Sequence, residues 1–315
     1  MDGHTESRCH SLRRWPRGDW EATRAADLGR LRSFAADRVA RMARQEKHPV
    51  YDFLFEYYSF RPAHLLRWTP GAGVIVEGAA LADLGWADFV PHDGGLVLFA
   101  DSFPPHRLTY LQWAVGYLEA TLRREPSFAC LGLHEWAMVY RDPNVRHPYV
   151  PLRLTRGETD AVVESQPLRC THYDAYRFFT QAAVPRNRLP LARDTTTDHD
   201  QPGCIHVNMD LYRFGYKIAP YCPSDLMADA FELAVAAREV DMRASPYDLS
   251  GYGFSPIRIE TREGREEYIE LQRGLAVRSE PIRHRLLGVY SELLAAVGER
   301  LPMTAPPGAS SGRLG

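Results

Sequence analysis

The chain has 315 residues, of which 45% are hydrophobic and 11% aromatic, so it can bury a sizeable core in one large domain or two small ones. The formal net charge of −2 excludes the strongly basic balance of a protein that binds nucleic acid non-specifically. No apolar run approaches the roughly 20 residues that span a bilayer, so we expect no membrane partner. The five cysteines lack the C-x-x-C spacing of zinc sites, which indicates reduced thiols and predicts a cytoplasmic protein.

The N-terminal third of the chain is predicted to start with a tail and a long helix. Residues 1–18 are polar and arginine-rich, and we expect them to be disordered ahead of one domain over residues 19–301. Helical spacing begins in "DWEATRAADLGRLRSFAADRVARMARQ", with Asp19 as the expected N-cap. "HPVYDFLFEYYSF" places Pro49 at the start of a second helix. "GVIVEG" and "GLVLFA" are short and β-rich, which predicts two paired strands.

The middle of the chain is predicted to be mainly helical. "RLTYLQWAVGYLEATLRRE" has the apolar spacing of an amphipathic helix, and "CLGLHEWAMVYR" is expected to form another. "PYVPLRLT" has the composition of a strand. "CTHYDAYRFFTQAA" is expected to be a short helix, and residues 181–203 form a polar loop.

The C-terminal third contains the clearest helix, "SDLMADAFELAVAAREVDMRAS", with Ser224 or Asp225 as its expected cap. Before it, "GCIHVNMDLYRFGYK" resembles a buried helix. "SPIRIET" is a candidate strand, and residues 262–299 are predicted to be helical with a kink or break at Pro281. Residues 302–315 are rich in Pro, Gly and Ser, which predicts a disordered tail. Several long helices with few short strands predict a mostly α, multi-helix single domain.

Four apolar segments carry titratable side chains that are rarely buried without partners. On a helix His206 and Asp210 would share one face, because they are four residues apart. The desolvation cost of isolated buried groups predicts that His172, His206 and Asp210 converge with a carboxylate of the long helix. The residues concerned are His134 and Glu135, His172, Tyr173 and Asp174, His206, Asn208 and Asp210, and Glu232, Glu239 and Asp241.

Each of these residues also has an ordinary structural alternative. His134 and His172 can be hydrogen-bonded core histidines. Glu239 and Arg243 can be a surface pair at i,i+4. Glu232 can face solvent. Known motifs narrow the range of possible chemistry, since the chain has no G-x-G-x-x-G, no phosphate-binding loop and no H-E-x-x-H.

Five long segments carry a resemblance: "HPVYDFLFEYYSFRPAHLLRW", "CLGLHEWAMVYR", "LRCTHYDAYRFFT", "QPGCIHVNMDLYRFGYKIAP" and "FELAVAAREVDMRASPYDLSGYGFSPIRIET". Across residues 45–295 the chain resembles a family of bacterial proteins commonly labelled 3-methyladenine DNA glycosylase. The resemblance implies a DNA-repair hydrolase that needs no cofactor and takes DNA or a modified nucleoside as its partner. The chain lacks the helix-hairpin-helix loop with its catalytic aspartate and the Cys/His zinc pattern of known glycosylases. The resemblance therefore carries no catalytic residue over.

Hydrolysis of the N-glycosidic bond of an alkylated purine would require a carboxylate beside aromatic side chains that stack on the base. Asp210 or Asp241 is the candidate that stabilises the sugar cation or activates water. His206 is expected to orient that carboxylate. The remaining candidate catalytic residues are His172, Glu239 and Arg243.

Two alternatives remain open from the residues alone. Histidines and carboxylates on facing helices also hold one or two iron ions in helical bundles, which would make the protein a non-haem iron oxidase or oxygenase acting on a small molecule. A non-catalytic binding or scaffold protein is the third possibility, and its polar network would be purely structural. The candidate iron ligands are Glu135, His172, His206, Asp210 and Glu239.

Overall fold

The computed structural model describes residues 12–143, 145 and 147–300. The chain is 56% helical and has a small sheet of four short strands, which confirms a mostly α single domain. No helix in the described part of the chain is both long enough and apolar enough to cross a bilayer. The predicted C-terminal tail at 302–315 and residues 1–11 of the predicted N-terminal tail lie outside the described residues.

Eleven α-helices are found in the described ranges. Short 3-10 turns connect several of them. The helices are α1 Arg17–Ala43, α2 Phe53–Glu56, α3 Leu81–Leu84, α4 Leu108–Leu122, α5 Leu133–Ala137, α6 Arg156–Glu164, α7 Tyr173–Tyr176, α8 Thr196–His199, α9 Ile205–Lys217, α10 Ser224–Arg243 and α11 Arg262–Arg300. The strands are β1 Arg13–Trp15, β2 Val74–Glu77, β3 Val90–His92 and β4 Gly95–Val97.

The centre of the fold is the mutual packing of α9, α10 and α11, with α4 against α11 and α1 against α10. Helix α9 is buried along almost its whole length. Because a helix that is apolar on all sides must lie inside the protein, this burial agrees with the sequence of α9, and the polar residues on it need partners. One continuous apolar core surrounds these helices, and a smaller one lies around Met242 and Tyr247.

The small sheet has the strand order β1-β2-β4-β3. The predicted pairing of "GVIVEG" with "GLVLFA" is confirmed, because Val76 of β2 lies opposite Leu96 of β4 in an antiparallel ladder. Strand β1 adds a parallel edge to β2. It lies inside residues 1–18, so the predicted tail extended too far towards the domain. The polar, arginine-rich composition of this segment did not indicate a strand. In the structure, the Trp15 ring of β1 stacks on Trp68 at 5.7 Å between centroids.

Two predicted strands are wrong. "PYVPLRLT" contributes only an isolated bridge from Leu152 to Tyr247, and residues 255–261 have no strand, with a turn at 259–260. Ile257 and Ile259 are fully buried, so their β-like composition reflects core packing without a partner strand. The segment "CLGLHEWAMVYR" is helical only over α5, which is five residues long.

The helix is not broken at Pro281, since α11 runs continuously from Arg262 to Arg300. Proline removes the hydrogen bond to the carbonyl four residues earlier, which belongs to Val277. Val277 is 71% exposed, so water can satisfy that carbonyl. The expected caps also differ. Helix α1 begins at Arg17 with Asp19 in its first turn, and α10 follows Pro223 without a side-chain cap.

The start of α9 is fixed by the amide of Gln201. Its Oε1 accepts hydrogen bonds from the backbone nitrogens of Ser127 and Gly203, each at 2.7 Å, and its Nε2 donates to the Ser127 carbonyl at 3.0 Å. Gln272 of α11 donates to the Gly203 carbonyl at 2.7 Å. These bonds set where α9 begins and therefore where His206 lies.

We expect Gly203→Ala to lower the free energy of unfolding by about 1–3 kcal/mol through overpacking. A Cβ at this position would lie 2.6 Å from the Ser127 carbonyl oxygen and 2.8 Å from its nitrogen, and backbone atoms held by Gln201 cannot move away cheaply. Urea unfolding measures the change. The control is Gly116→Ala on the exposed side of α4, where a Cβ meets nothing within 4 Å and helix propensity should raise stability by up to about 1 kcal/mol. Equal effects at the two glycines would contradict this account.

Candidate functional site

Helices α5, α9 and α10 bring four ionisable side chains together in the core. Trp136 of α5 donates from Nε1 to the Ala244 carbonyl at the end of α10, at 2.8 Å. This bond holds the short α5 against α10, so that His134 and Glu135 face the longer helix. Asp241 lies on that face of α10, and His206 reaches it from α9.

His134, Glu135, His206 and Asp241, here called the four-residue cluster, each offer a ligand atom, and these atoms all lie within 4.8 Å of one another. Nε2 of His134 lies 2.7 Å from Oδ1 of Asp241, and Nε2 of His206 lies 3.8 Å from Oδ2 of the same carboxylate. All four side chains are buried. Metal–ligand bonds of about 2.0–2.2 Å place ligand atoms at most about 4.4 Å apart, so small side-chain movements would close the cluster around one ion.

A buried arginine supports the two carboxylates of this cluster. Nη1 of Arg238 donates to Oε1 of Glu135 at 3.0 Å and to Oδ2 of Asp241 at 2.6 Å. Arg238 is 1% exposed, and its guanidinium also lies over the Phe53 ring, 4.1 Å from the centroid. Arg238 therefore compensates part of the negative charge and fixes one oxygen of each carboxylate.

The two histidines of the cluster have opposite pKa shifts. Burial and then the nearby charges of His134 and His172 hold the pKa of His206 well below its usual value, against the opposing pull of Asp241. Its imidazole is therefore neutral and has a free lone pair. Burial alone would lower the pKa of His134, but the charge of Asp241 and its contact with Cys130 raise it well above the usual value. In return, His134, His206 and Arg238 outweigh burial and lower the pKa of Asp241.

A second polar group lies directly beside the first. The ring of His172 stacks on that of His206 at 5.3 Å between centroids, and its Nε2 lies 3.4 Å from Oδ2 of Asp210. Tyr58 donates to Oδ1 of Asp210 at 2.9 Å, and Arg213 donates to Oδ2 at 2.5 Å. Burial alone would raise the pKa of Asp210, but Arg213 and the hydrogen bonds outweigh it and lower the pKa to about 2.

We expect Asp210 to make the free energy of unfolding depend on pH in the acid range. A carboxylate whose pKa is lower in the folded state stabilises the protein above its unfolded pKa of about 3.9, and this contribution disappears as the pH falls towards 2. The free energy of unfolding should therefore fall between pH 5 and pH 2 by on the order of 2 kcal/mol more in the wild type than in Asp210→Asn. Urea unfolding across this range measures it, and parallel pH profiles would show that Asp210 is not held ionised.

Two openings adjoin these groups. A small cavity of about 20 Å³ is bordered by Glu135, His206 and Arg238, which is room for about one water molecule. A larger cleft of about 550 Å³ lies beyond it, and Tyr57 and Asp174 line both. This aromatic cleft is further lined by Tyr58, Tyr110, Trp113, Tyr173, Arg177, Arg193, Thr196, Arg213, Phe214 and Lys217.

The structure brings together most of the residues singled out from the sequence. His172, His206 and Asp210 form one connected group that reaches Asp241 of the long helix through His206. Two candidates lie elsewhere. Glu239 accepts a hydrogen bond from Tyr51 at 2.7 Å, and Arg243 pairs with Glu267 at 3.0 Å towards the surface. Glu232 pairs with Arg30 at 2.6 Å.

Sequence reasoning missed Arg238, and it placed His134 among the buried polar residues without making it a candidate ligand or catalytic residue. Arg238 precedes Asp241 by three residues on α10, a spacing that places both on one helix face. An arginine within an alanine-rich helix stripe was therefore a usable signal. His134 of α5 and Asp241 of α10 are 107 residues apart in the sequence, so no local sequence pattern predicted that they would meet.

Comparisons of the chain with family models, with curated proteins and with solved structures found no match. The whole four-residue cluster lies in three of the five long segments quoted in the sequence analysis. His134 and Glu135 lie in "CLGLHEWAMVYR", His206 in "QPGCIHVNMDLYRFGYKIAP", and Asp241 in "FELAVAAREVDMRASPYDLSGYGFSPIRIET".

Proposed function

We propose that the four-residue cluster holds one divalent transition metal and that the protein is a metal-dependent enzyme of the non-haem iron type, acting on a small molecule. The observation that carries the proposal is the convergence of two imidazoles and two carboxylates within 4.8 Å in the core. Two histidines with a carboxylate and open positions are typical of non-haem iron(II) sites. Bound there, iron(II) would supply redox chemistry or act as a Lewis acid.

The surrounding residues fit this use. Arg238 holds Oε1 of Glu135 and Oδ2 of Asp241, so it leaves one oxygen of each carboxylate without a bond to it, and Oδ1 of Asp241 lies 2.7 Å from Nε2 of His134. The hydrogen bond from His134 to Asp241 would be replaced on loading, with release of a proton. The small cavity beside His206 and Glu135 offers space for one exchangeable ligand of the size of water.

The direct test is metal analysis of the protein as purified and after reconstitution under anaerobic conditions with iron(II), manganese(II) or zinc(II). We expect about one ion per chain, removable by a chelator, with manganese(II) bound more weakly than iron(II) or zinc(II). Absence of stoichiometric binding for all three ions would refute the proposal.

The second candidate function is hydrolysis of an N-glycosidic bond in an alkylated purine, and the aromatic cleft favours it. Tyr57, Tyr173 and Trp113 offer rings on which a base can stack. Asp174 lies in the cleft wall, and Arg213 joins it to Asp210 behind the wall. In this proposal one of these carboxylates stabilises the sugar cation.

A base-release assay on methylated DNA separates the two functions. The glycosylase proposal expects release that persists in a chelated sample and falls in Asp210→Asn, with Asp241→Asn as the matched comparison. The metal proposal expects no release and a stoichiometric ion. If neither ion nor release is found, the non-catalytic binding or scaffold role is favoured.

A further inference from the structure

We infer that the aromatic cleft binds a free mononucleotide-like molecule, a planar aromatic ring joined to a phosphate monoester. Its volume of about 550 Å³ falls within the range of about 300–1,000 Å³ typical of small-molecule sites. Nothing in the metal geometry requires such a cleft, since the cluster already has a small cavity of its own.

The charges of the cleft divide into a neutral part and a positive part. Arg177 and Arg213 are paired with Asp174 at 2.9 and 3.2 Å, and Arg213 also pairs with Asp210 at 2.5 Å. These two cations and two carboxylates compensate one another. Arg193 and Lys217 line the same cleft, and no described carboxylate lies within ion-pair distance of either.

Two uncompensated cations match a phosphate monoester, whose charge at neutral pH is about −1.5 to −2. They do not match a nucleic-acid strand, which is held through many phosphate contacts and needs a long basic surface. The chain as a whole has a formal net charge of −2. The charge pattern therefore favours a single small anion over a polyanion.

The planar part of the ligand is inferred from Trp113. This side chain is 42% exposed, although large aromatic residues usually bury most of their surface. One side of the indole packs on Phe214 at 6.0 Å between centroids and 13° between planes. Tyr110 flanks it at 6.0 Å. The exposed part of the indole offers a stacking surface for a base.

One wall of the cleft is shared with the small cavity beside the four-residue cluster. Tyr57 and Asp174 line both the cleft and the small cavity next to Glu135 and His206. A ligand in the cleft thus lies against the wall that separates it from the four-residue cluster. The inference that the cleft binds this ligand does not depend on the proposed metal centre. The further inference that the ligand is the substrate does depend on it.

The test is a titration of the whole chain with adenosine 5′-monophosphate, followed by tryptophan fluorescence and calorimetry. We expect saturable quenching, with adenosine and inorganic phosphate each bound at least roughly tenfold more weakly. Arg193→Gln combined with Lys217→Gln should weaken binding by roughly tenfold or more. The control is Arg262→Gln, an 81% exposed arginine at the start of α11, which should bind as the wild type does.

Trp113→Phe identifies the site, because calorimetric binding should persist while the fluorescence change is lost. Equal affinity for inorganic phosphate and the nucleotide would overturn the inference, as would binding of an oligonucleotide without binding of the nucleotide, or no binding at all. Metal content measured on the same samples keeps the proposals distinct. Nucleotide binding by a protein that takes up none of the three ions on reconstitution supports the cleft and refutes the metal centre, and metal binding without nucleotide binding does the reverse.

Discussion

His206→Ala is expected to weaken metal binding by roughly a hundredfold or more, so that bound iron(II) falls from about one ion per chain to near background. His206 contributes Nε2 to the four-residue cluster, and its pKa lies well below the usual value because of burial and the neighbouring histidines. It is therefore the ligand that needs no deprotonation before it binds. Metal analysis after anaerobic reconstitution measures the loss.

The matched control is His172→Ala. His172 is as buried as His206 and stacks on it at 5.3 Å, but it belongs to the Asp210 group and supplies no atom to the cluster. Its removal should leave the metal content close to that of the wild type. Equal losses in both variants would mean that general damage to the core explains the result, and no loss in either would refute the ligand assignment.

Arg238→Met should lower the free energy of unfolding of the metal-free protein by about 3–5 kcal/mol. Methionine fills a similar volume but leaves Glu135 without its buried charge partner and leaves Asp241 with His134 as its nearest positive group. A bound cation would restore positive charge. Saturating iron(II) at a hundredfold excess over its dissociation constant should therefore add about 2.7 kcal/mol.

Arg30→Met is the control for this experiment. Arg30 also bridges two carboxylates, Asp229 and Glu232, but its side chain is 33% exposed. Solvent screening should hold the effect of its loss within about 1 kcal/mol, and metal should not change it. Thermal or urea unfolding with and without iron(II) measures both variants. Similar losses for the two arginines would contradict the role given to burial at Arg238.

The sequence predicted the helices well where the apolar spacing was long, as in α4 and α10, and it predicted the strand pair from glycine-bounded β-rich runs. The sequence-based prediction failed where the same composition is compatible with two kinds of structure. Ile257 and Ile259 are core residues without a strand, and Trp15 belongs to an edge strand inside an arginine-rich segment. In both cases tertiary packing decided the outcome, and tertiary packing leaves no short-range pattern.

The only sign of the candidate site in the sequence was the presence of polar and titratable residues within apolar segments. Buried histidines and carboxylates on several segments predicted convergence, because each would otherwise be desolvated without a partner. Which of them meet depended on the crossing of α5, α9 and α10. Glu239, two residues before Asp241, points to Tyr51 instead, and only the rotation of α10 about its axis distinguishes the two carboxylates.

The separation of 107 residues between His134 and Asp241 would also constrain when the protein acquires the proposed ion during biosynthesis. At a translation rate of about 5–20 residues per second, the ribosome needs roughly 5–20 s to pass from the first of these codons to the second. Until then the nascent chain carries His134 and Glu135 without Asp241, and before residue 206 is added it lacks His206 as well. Capture of the proposed ion would therefore be a late event, after α10 has left the exit tunnel, and we expect a truncated translation product ending before residue 241 to be made without metal.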